Sequence, residues 1–322
     1  MKTVAALSRF LGRWMVLLTP AAMVAGWLWQ KPLAPFTGLS TVAFAIITLA
    51  LSLGTSWRDL GRVTLSPLPV VTSLLLLHLV APLFGWVAWH SLFASSPDIG
   101  AGLVMATAIP IGVSSLLWAS LAGGDLPLAL ALVTLDTLLS PLVVPLTIHL
   151  FVGQRIHFAV SSVMLGLFKM VVIPTLIGVT SHDLTQGRLH RAVAPYADLA
   201  SKGGIIVAVA LSVAGSAARL PGLDQHYLPA LVTLFVLCVL GYFAGYLTAR
   251  LLGWARPVGV SLAYCTGLRN TVAGTVVAAT YFPPRVALTV CLMMLFQQPL
   301  AGFAQRLLST NPQHSEAAAG KS

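Results

Sequence analysis

Ten apolar runs, each about long enough to cross a bilayer, divide this chain and limit its fold more than any other feature. A span needs about 20 apolar residues, and a helix lets such a segment satisfy its own backbone hydrogen bonds. Reading the runs against their breaks puts spans at about 10–29, 35–54, 68–94, 100–122, 126–152, 157–180, 198–218, 227–250, 257–281 and 284–307. The 322 residues leave no room for a large soluble domain, and only 8% are charged, against about 25% in soluble domains. The chain is therefore read as an all-α polytopic membrane protein. Its start, MKTVAALSRFLGRWMVLLTPAAMVAG, has the basic-then-apolar order of a signal peptide. The run continues through Trp27, Leu28 and Trp29 to spanning length, so it is read as a retained first helix. Residues 310–322 are polar and small and read as a disordered cytoplasmic tail.

The net charge of +10 comes from basic residues that punctuate the apolar runs. No basic patch is interleaved with aromatics, so no nucleic-acid partner is indicated, and the charge reads as topology and attraction to anionic lipid. Eleven basic residues, from Lys2, Arg9 and Arg13 through Arg188 and Arg191 to Arg306 and Lys321, fall on one side. Four, Lys31, Arg155, Arg219 and Arg285, fall on the other. Both termini are then cytoplasmic, in a bacterial inner membrane. Cys238, Cys265 and Cys291 lie within apolar runs without metal-ligand or disulfide spacing, and no cofactor is implied. His78 and His149 also lie within apolar runs and read as satisfied interior histidines.

Ten spans divide into two sets of five, and an odd number per set inverts the second half relative to the first, as in many secondary transporters. IITLALSLGTS in span 2 is matched by IIVAVALSVAGS in span 7. IPIGVSSLLWASLAGG in span 4 is matched by CTGLRNTVAGTVVAA in span 9, each with glycine and two polar residues inside an apolar run. Pro110 and Gly112 interrupt the first, and Gly267 the second. Unwound backbone is tolerated at membrane depth only where protein or a watery cavity satisfies it. Matched breaks in two inverted halves therefore point to a binding site near the midplane, with the second half-helices starting at Ser114/Ser115 and Asn270/Thr271 and favouring an anion.

Several segments resemble the bile acid:sodium symporter family, part of a wider group of bile-, arsenite- and riboflavin-type transporters. The run from Pro110 through SSLLWASLAGGDLPLALALVTLDTLLSPLVVP resembles its fourth and fifth helices. YCTGLRNTVAGTVVAATYFPPRVA, continuing to FQQPLAGF, resembles its ninth and tenth, and IITLALSLGTSWRDLGRV its second. The resemblance implies one transporter unit over residues 1–309. Its panel domain would take the helices at about 10–54 and 157–218, and its core domain those at about 68–152 and 227–307, with broken helices 4 and 9 crossing in the core. It further implies alternating-access transport of organic anions, usually with two sodium ions.

The departures from that pattern bear on coupling. Where the family's ninth helix carries a sodium-binding glutamate and glutamine, this chain has Cys265 and Arg269, while Gly267 and Asn270 are kept. The asparagine of helix 4 becomes Leu116, the hydroxyl ligands of helix 5 become Ala129 and Val133, and the glutamine of helix 3 becomes Leu77, beside His78. A fixed cation now stands where an ion would sit, so coupling through the usual two sodium sites is expected to be lost. The coupling ion is a proton or sodium, and exchange and facilitated diffusion stay open. Asp136 is the only acidic residue deep within a span, and Arg269 is expected beside it. Two roles stay open for Arg269: a static partner of Asp136, or a surrogate for the cation. Lys169 is placed toward the cavity as an attractor of a carboxylate or phosphate; for Lys202 that role and an interfacial one both stay open, with Asp198 a helix cap or its partner.

The candidate binding residues are thus Ser114, Ser115, Asp136, Cys265, Arg269, Asn270, Thr271, Lys169, Lys202 and His78, with Pro110, Gly112 and Gly267 breaking the helices. The partners expected are a small or medium organic anion and membrane lipid, with the protein a monomer or homodimer. An enzyme is not supported, since no span carries a His/Asp/Glu pair at helical spacing and no GxSxG occurs. Sodium symport through remaining hydroxyls such as Thr134, Thr137 and Thr271 is the alternative, and a non-transporting sensor is a further one.

Overall fold

The computed structural model describes residues 2–58, 67–153, 155–220, 222 and 224–309. The tail expected at 310–322 lies outside them. Among the described residues every regular element is helical, apart from one isolated antiparallel bridge between Ile111 and Arg269. The helices are α1 (Lys2–Leu28), α2 (Leu39–Ser52), α3 (Pro67–Leu92), α4 (Pro97–Ala108), α5 (Ser114–Leu121) and α6 (Leu126–Val152). They continue with α7 (Val160–Leu184), α8 (Arg188–Ala217), α9 (Tyr227–Leu251), α10 (Arg256–Gly267), α11 (Thr271–Tyr281) and α12 (Pro284–Leu308).

By length and composition, seven of these can cross a membrane: α1, α3, α6, α7, α8, α9 and α12. An eighth is formed if Gln30–Phe36 and α2, bent by 65°, make one span. Large apolar side chains such as Leu150, Leu228 and Phe243 are exposed on the outer surface, as lipid contact requires. The two expected spans that fail the length requirement are those in which a break was expected. The first is α4 and α5, separated at Ile109–Val113, and the second is α10 and α11, separated at Leu268–Asn270. The helix expected at 198–218 begins ten residues earlier, at Arg188, after Gly187 turns the chain with φ +70°. Its added turns carry RLHRAVAPYA, in which two arginines and a histidine interrupt the apolar residues and none is buried, so the helix outruns the apolar segment that sequence alone picks out.

Two prolines reshape the helices that carry them. Pro82 has no N–H to give His78, and Pro174 has none to give Met170, and each is preceded by a π-helical turn, Leu76–Val80 and Phe168–Val172. Ala81 N–H then bonds the Leu76 carbonyl, one residue further back than in an α-helix, and Thr147 Oγ1 donates to the freed His78 carbonyl at 3.4 Å. His78 therefore sits in a locally widened turn.

Small residues set the closest contacts, as expected where lipid is as apolar as the helices themselves. On α9, Gly241 and Gly245 face α10 so closely that added Cβ atoms would lie 2.8 Å from the Thr266 carbonyl oxygen and 2.2 Å from Thr266 Oγ1 respectively. Gly245→Ala is accordingly expected to destabilise by about 1–3 kcal/mol through overpacking. Gly38→Ala, with open space around it, should leave the thermal midpoint of the detergent-purified protein unchanged. Equal midpoints for the two variants would refute this account of the α9–α10 contact.

Candidate functional site

The two breaks lie against one another and complete each other's hydrogen bonding. Gly112 N–H donates to the Leu268 carbonyl at 2.9 Å, and Asn270 N–H donates to the Pro110 carbonyl at 2.7 Å. Gly112 is required by proximity, since a Cβ there would lie 2.9 Å from the Arg269 carbonyl oxygen. Gly267 is held the same way, its would-be Cβ lying 2.5 Å from the Tyr242 ring. This is how unwound backbone survives at membrane depth: each segment is the other's partner.

Side chains satisfy what remains. Asp136 on α6 is fully buried, and its Oδ2 accepts the Ile111 N–H at 2.6 Å. Its Oδ1 is hydrogen-bonded to His78 Nε2 at 2.5 Å, with His78 itself 9% exposed. Arg269, 3% exposed, donates from Nη1 to the Ile109 carbonyl at 3.3 Å. Arg269 and Asp136 stand at the same break, as expected, and no direct ion pair joins them among the described residues. The carboxylate and the guanidinium instead hold two peptide groups of the same break, two residues apart. Asp136 takes His78 as its partner because the widened turn of α3 brings the imidazole to it.

The face of the crossing opens on a cavity of about 480 Å³. Pro110, Gly112, Ser114, Arg269, Asn270 and Thr271 form one wall, extended by Thr134 and Thr137 of α6 and Gln297 and Gln298 of α12. Met15 and Pro20 of α1, Thr48 and Ser52 of α2, and Thr175 of α7 line the cavity as well. Most of the remaining lining is apolar, from Val16 and Leu17 to Met294 and Leu295. The positive ends of α5 and α11 point to this space. Asn270 Oδ1 already accepts the Ala273 N–H at 3.1 Å, so the α11 end is partly capped by its own chain. Ser114 Oγ lies 3.5 Å from Gln298 Nε2, and Gln298 Oε1 accepts from Trp118 Nε1 at 2.9 Å.

Of the candidate residues, Ser114, Arg269, Asn270 and Thr271 come together on the cavity. Ser115 and Cys265 are wholly buried behind the break, and Asp136 and His78 lie behind it as a pair. Lys169 and Lys202 do not line the cavity. Lys169 is exposed on the stripe of α7 that carries Leu165, Ile173 and Leu176, while Val171, Thr175 and Val179 take the cavity side. Lys202 Nζ binds Asp198 Oδ2 at 2.7 Å and the Ser8 carbonyl at 3.2 Å, tying α8 to α1. Sequence reading missed the two glutamines of the cavity wall. Their signal was present in FQQP, adjacent amides before a proline in an apolar run. It missed the His78–Asp136 pair because 58 residues separate the partners.

Residues 41–219 match the family model described as Sodium Bile acid symporter family. The chain is 35% identical over 295 residues to "Uncharacterized protein YbaS" of Bacillus subtilis, covering 92% of this chain and 96% of that one. It is 25% identical over 256 residues to "Uncharacterized sodium-dependent transporter YocS" of the same organism, covering 77% of each. To "Probable sodium/metabolite cotransporter BASS1, chloroplastic" of Oryza sativa subsp. japonica it is 24% identical over 272 residues, 83% of this chain and 64% of that one.

Proposed function

This chain belongs to the sodium bile acid symporter family, a family of multi-pass membrane transporters and not of enzymes, and on that premise we propose that it is a secondary active transporter of a small or medium organic anion. Its membrane is a bacterial inner membrane, with both termini cytoplasmic. The ten-span inverted repeat stands with this reading, α4/α5 and α10/α11 being the broken spans of the two halves. Contacts among α1, α2, α7 and α8 support a panel of these four helices beside a core of α3–α6 and α9–α12, and both groups line the cavity. Alternating access is movement of one group against the other.

The observation that carries the proposal is Arg269 itself. It is a permanent cation at the wall of a largely apolar cavity, beside two helix N-termini. A cavity of that kind favours an anion with an apolar body. Coupling does not use the family's usual two sodium sites, because Cys265 and Arg269 replace the side chains that would supply the ligand oxygens and the negative charge. A thermal-shift screen across organic anions, run with sodium or choline as the cation, tests this. At least one carboxylate or sulfonate should raise the unfolding midpoint, and sodium should not. Stabilisation by sodium alone would sink the sodium-independent form.

A second reading has its own support. The names of two relatives are sodium-dependent or sodium/metabolite transporters, and Thr134, Thr137 and Thr271 present hydroxyls at the cavity. Sodium symport through those oxygens and nearby carbonyls would appear in the same screen as a sodium-dependent shift.

A further inference from the structure

His78 carries a feature that transport of an anion past Arg269 does not use. Its Nε2 is committed to Asp136, and its Nδ1 is buried with no hydrogen-bond partner. Asp136 Oδ2 accepts the Ile111 N–H and Oδ1 shares a hydrogen bond with His78 Nε2; because Nδ1 has no acceptor, the proton of a neutral imidazole is placed on Nε2, where it meets the carboxylate. This leaves a bare lone pair on Nδ1. The trio Arg269, Asp136 and His78 is neutral as it stands, with one vacant proton site inside it.

We infer that His78 is the site of a coupling proton, held by the imidazole at Nδ1 and paired through Nε2 with Asp136. The inference rests on the reading of Arg269 as the stand-in for the family's ion. A proton arriving at Nδ1 takes the trio from neutral to one positive charge, and no other bond forms or breaks. An anion in the adjoining cavity restores neutrality, so proton and anion are favoured together. A proton at Nδ1 would be a buried donor without an acceptor in this arrangement. Protonation therefore disfavours this conformation relative to one that offers Nδ1 a partner, which is the differential affinity a ligand needs to shift a conformational equilibrium. The place is suited to movement: His78 lies in a π-helical turn, and its partner holds the Ile111 peptide of the break.

The surroundings leave few competitors for the proton. From α6 the imidazole meets Asp136, and Arg269 of the crossing stands near that carboxylate. From α10 comes Cys265, fully buried, and from α9 come Cys238 and Tyr242 near Arg269 and Gly267. α4 presents no titratable side chain here among the described residues, its Asp98 standing at the far end of the helix.

Two measurements on the full chain test this in sodium-free nanodiscs. Nitrogen-15 NMR of labelled histidines, with His78 assigned by its loss in His78→Gln or His78→Asn, reads the tautomer directly. Between about pH 5 and 8, where histidine titrates, His78 should pass from Nε2–H alone to both nitrogens protonated. In parallel, Thr48→Cys places a thiol in the cavity lining. Its rate of modification by a maleimide, divided by the rate in the same protein carrying His78→Gln, should depend on pH, by up to about tenfold per pH unit for one linked proton. A His78 that keeps one protonation state throughout that range, or a labelling profile unchanged by His78→Gln, overturns the inference. A sodium arm separates the two levels. Stabilisation by sodium overturns the reading of Arg269 and this inference with it, whereas no sodium response together with no protonation overturns this inference alone.

Discussion

Asp136→Ala is expected to lower stability by about 3–5 kcal/mol, the cost of removing one partner from a buried charge arrangement. Three groups lose their acceptor or countercharge at once: the Ile111 amide, His78 Nε2, and the buried Arg269 guanidinium across the same break. The variant should fall well below the wild type in thermal unfolding of the purified protein, and in yield from the membrane. Asp136→Asn keeps the shape and one acceptor oxygen but not the charge, and should fall between the two. Should Asp136→Ala unfold with the wild type, the carboxylate is not holding the break, and the account of the crossing fails.

The second large effect is a gain. Cys265→Glu with Arg269→Gln returns to this chain the two side chains that the family's ninth helix uses for sodium. The double variant should acquire sodium-dependent stabilisation, about 2.7 kcal/mol when sodium is a hundredfold above its dissociation constant. Choline should give none. Each single variant is expected to be worse off than the pair. Arg269→Gln alone leaves Asp136 without a nearby cation, and Cys265→Glu alone places a second carboxylate in a wholly buried position. A double variant that folds yet ignores sodium would show that the loss of the ion sites extends to Leu116, Ala129, Val133 and Leu77.

What the sequence disclosed and what it hid differ for a physical reason. Spans are legible because each depends on local composition, as for Leu126–Val152, and breaks are legible because proline and glycine act within a few residues. LAGGDLP could be read in the same way: Gly123 takes φ +75° at the end of α5, and Asp125 Oδ1 caps α6 through the Leu128 N–H at 3.0 Å. The partnership of residues is another matter. That Gly112 bonds Leu268, or that His78 rather than Arg269 meets Asp136, depends on how distant helices pack. Periodicity carries no record of that. Lys169 shows the same limit: an intramembrane lysine invites a cavity role, and its actual direction, shared with Leu165 and Ile173, depends on how α7 packs.

The guanidinium of Arg269 is fastened to the chain by covalent bonds, and this limits how far a gradient can be exploited. A dissociable ion crosses with its cargo and stays behind, so its own gradient performs work in every turnover. A tethered cation returns with the empty carrier and performs no net work. It can raise affinity, choose anions over neutral solutes and set the speed of the return step, but it adds nothing to the ratio of inside to outside concentration reached at equilibrium. Any accumulation beyond the cargo's own electrochemical balance has to be driven by some other species that binds on one side and leaves on the other.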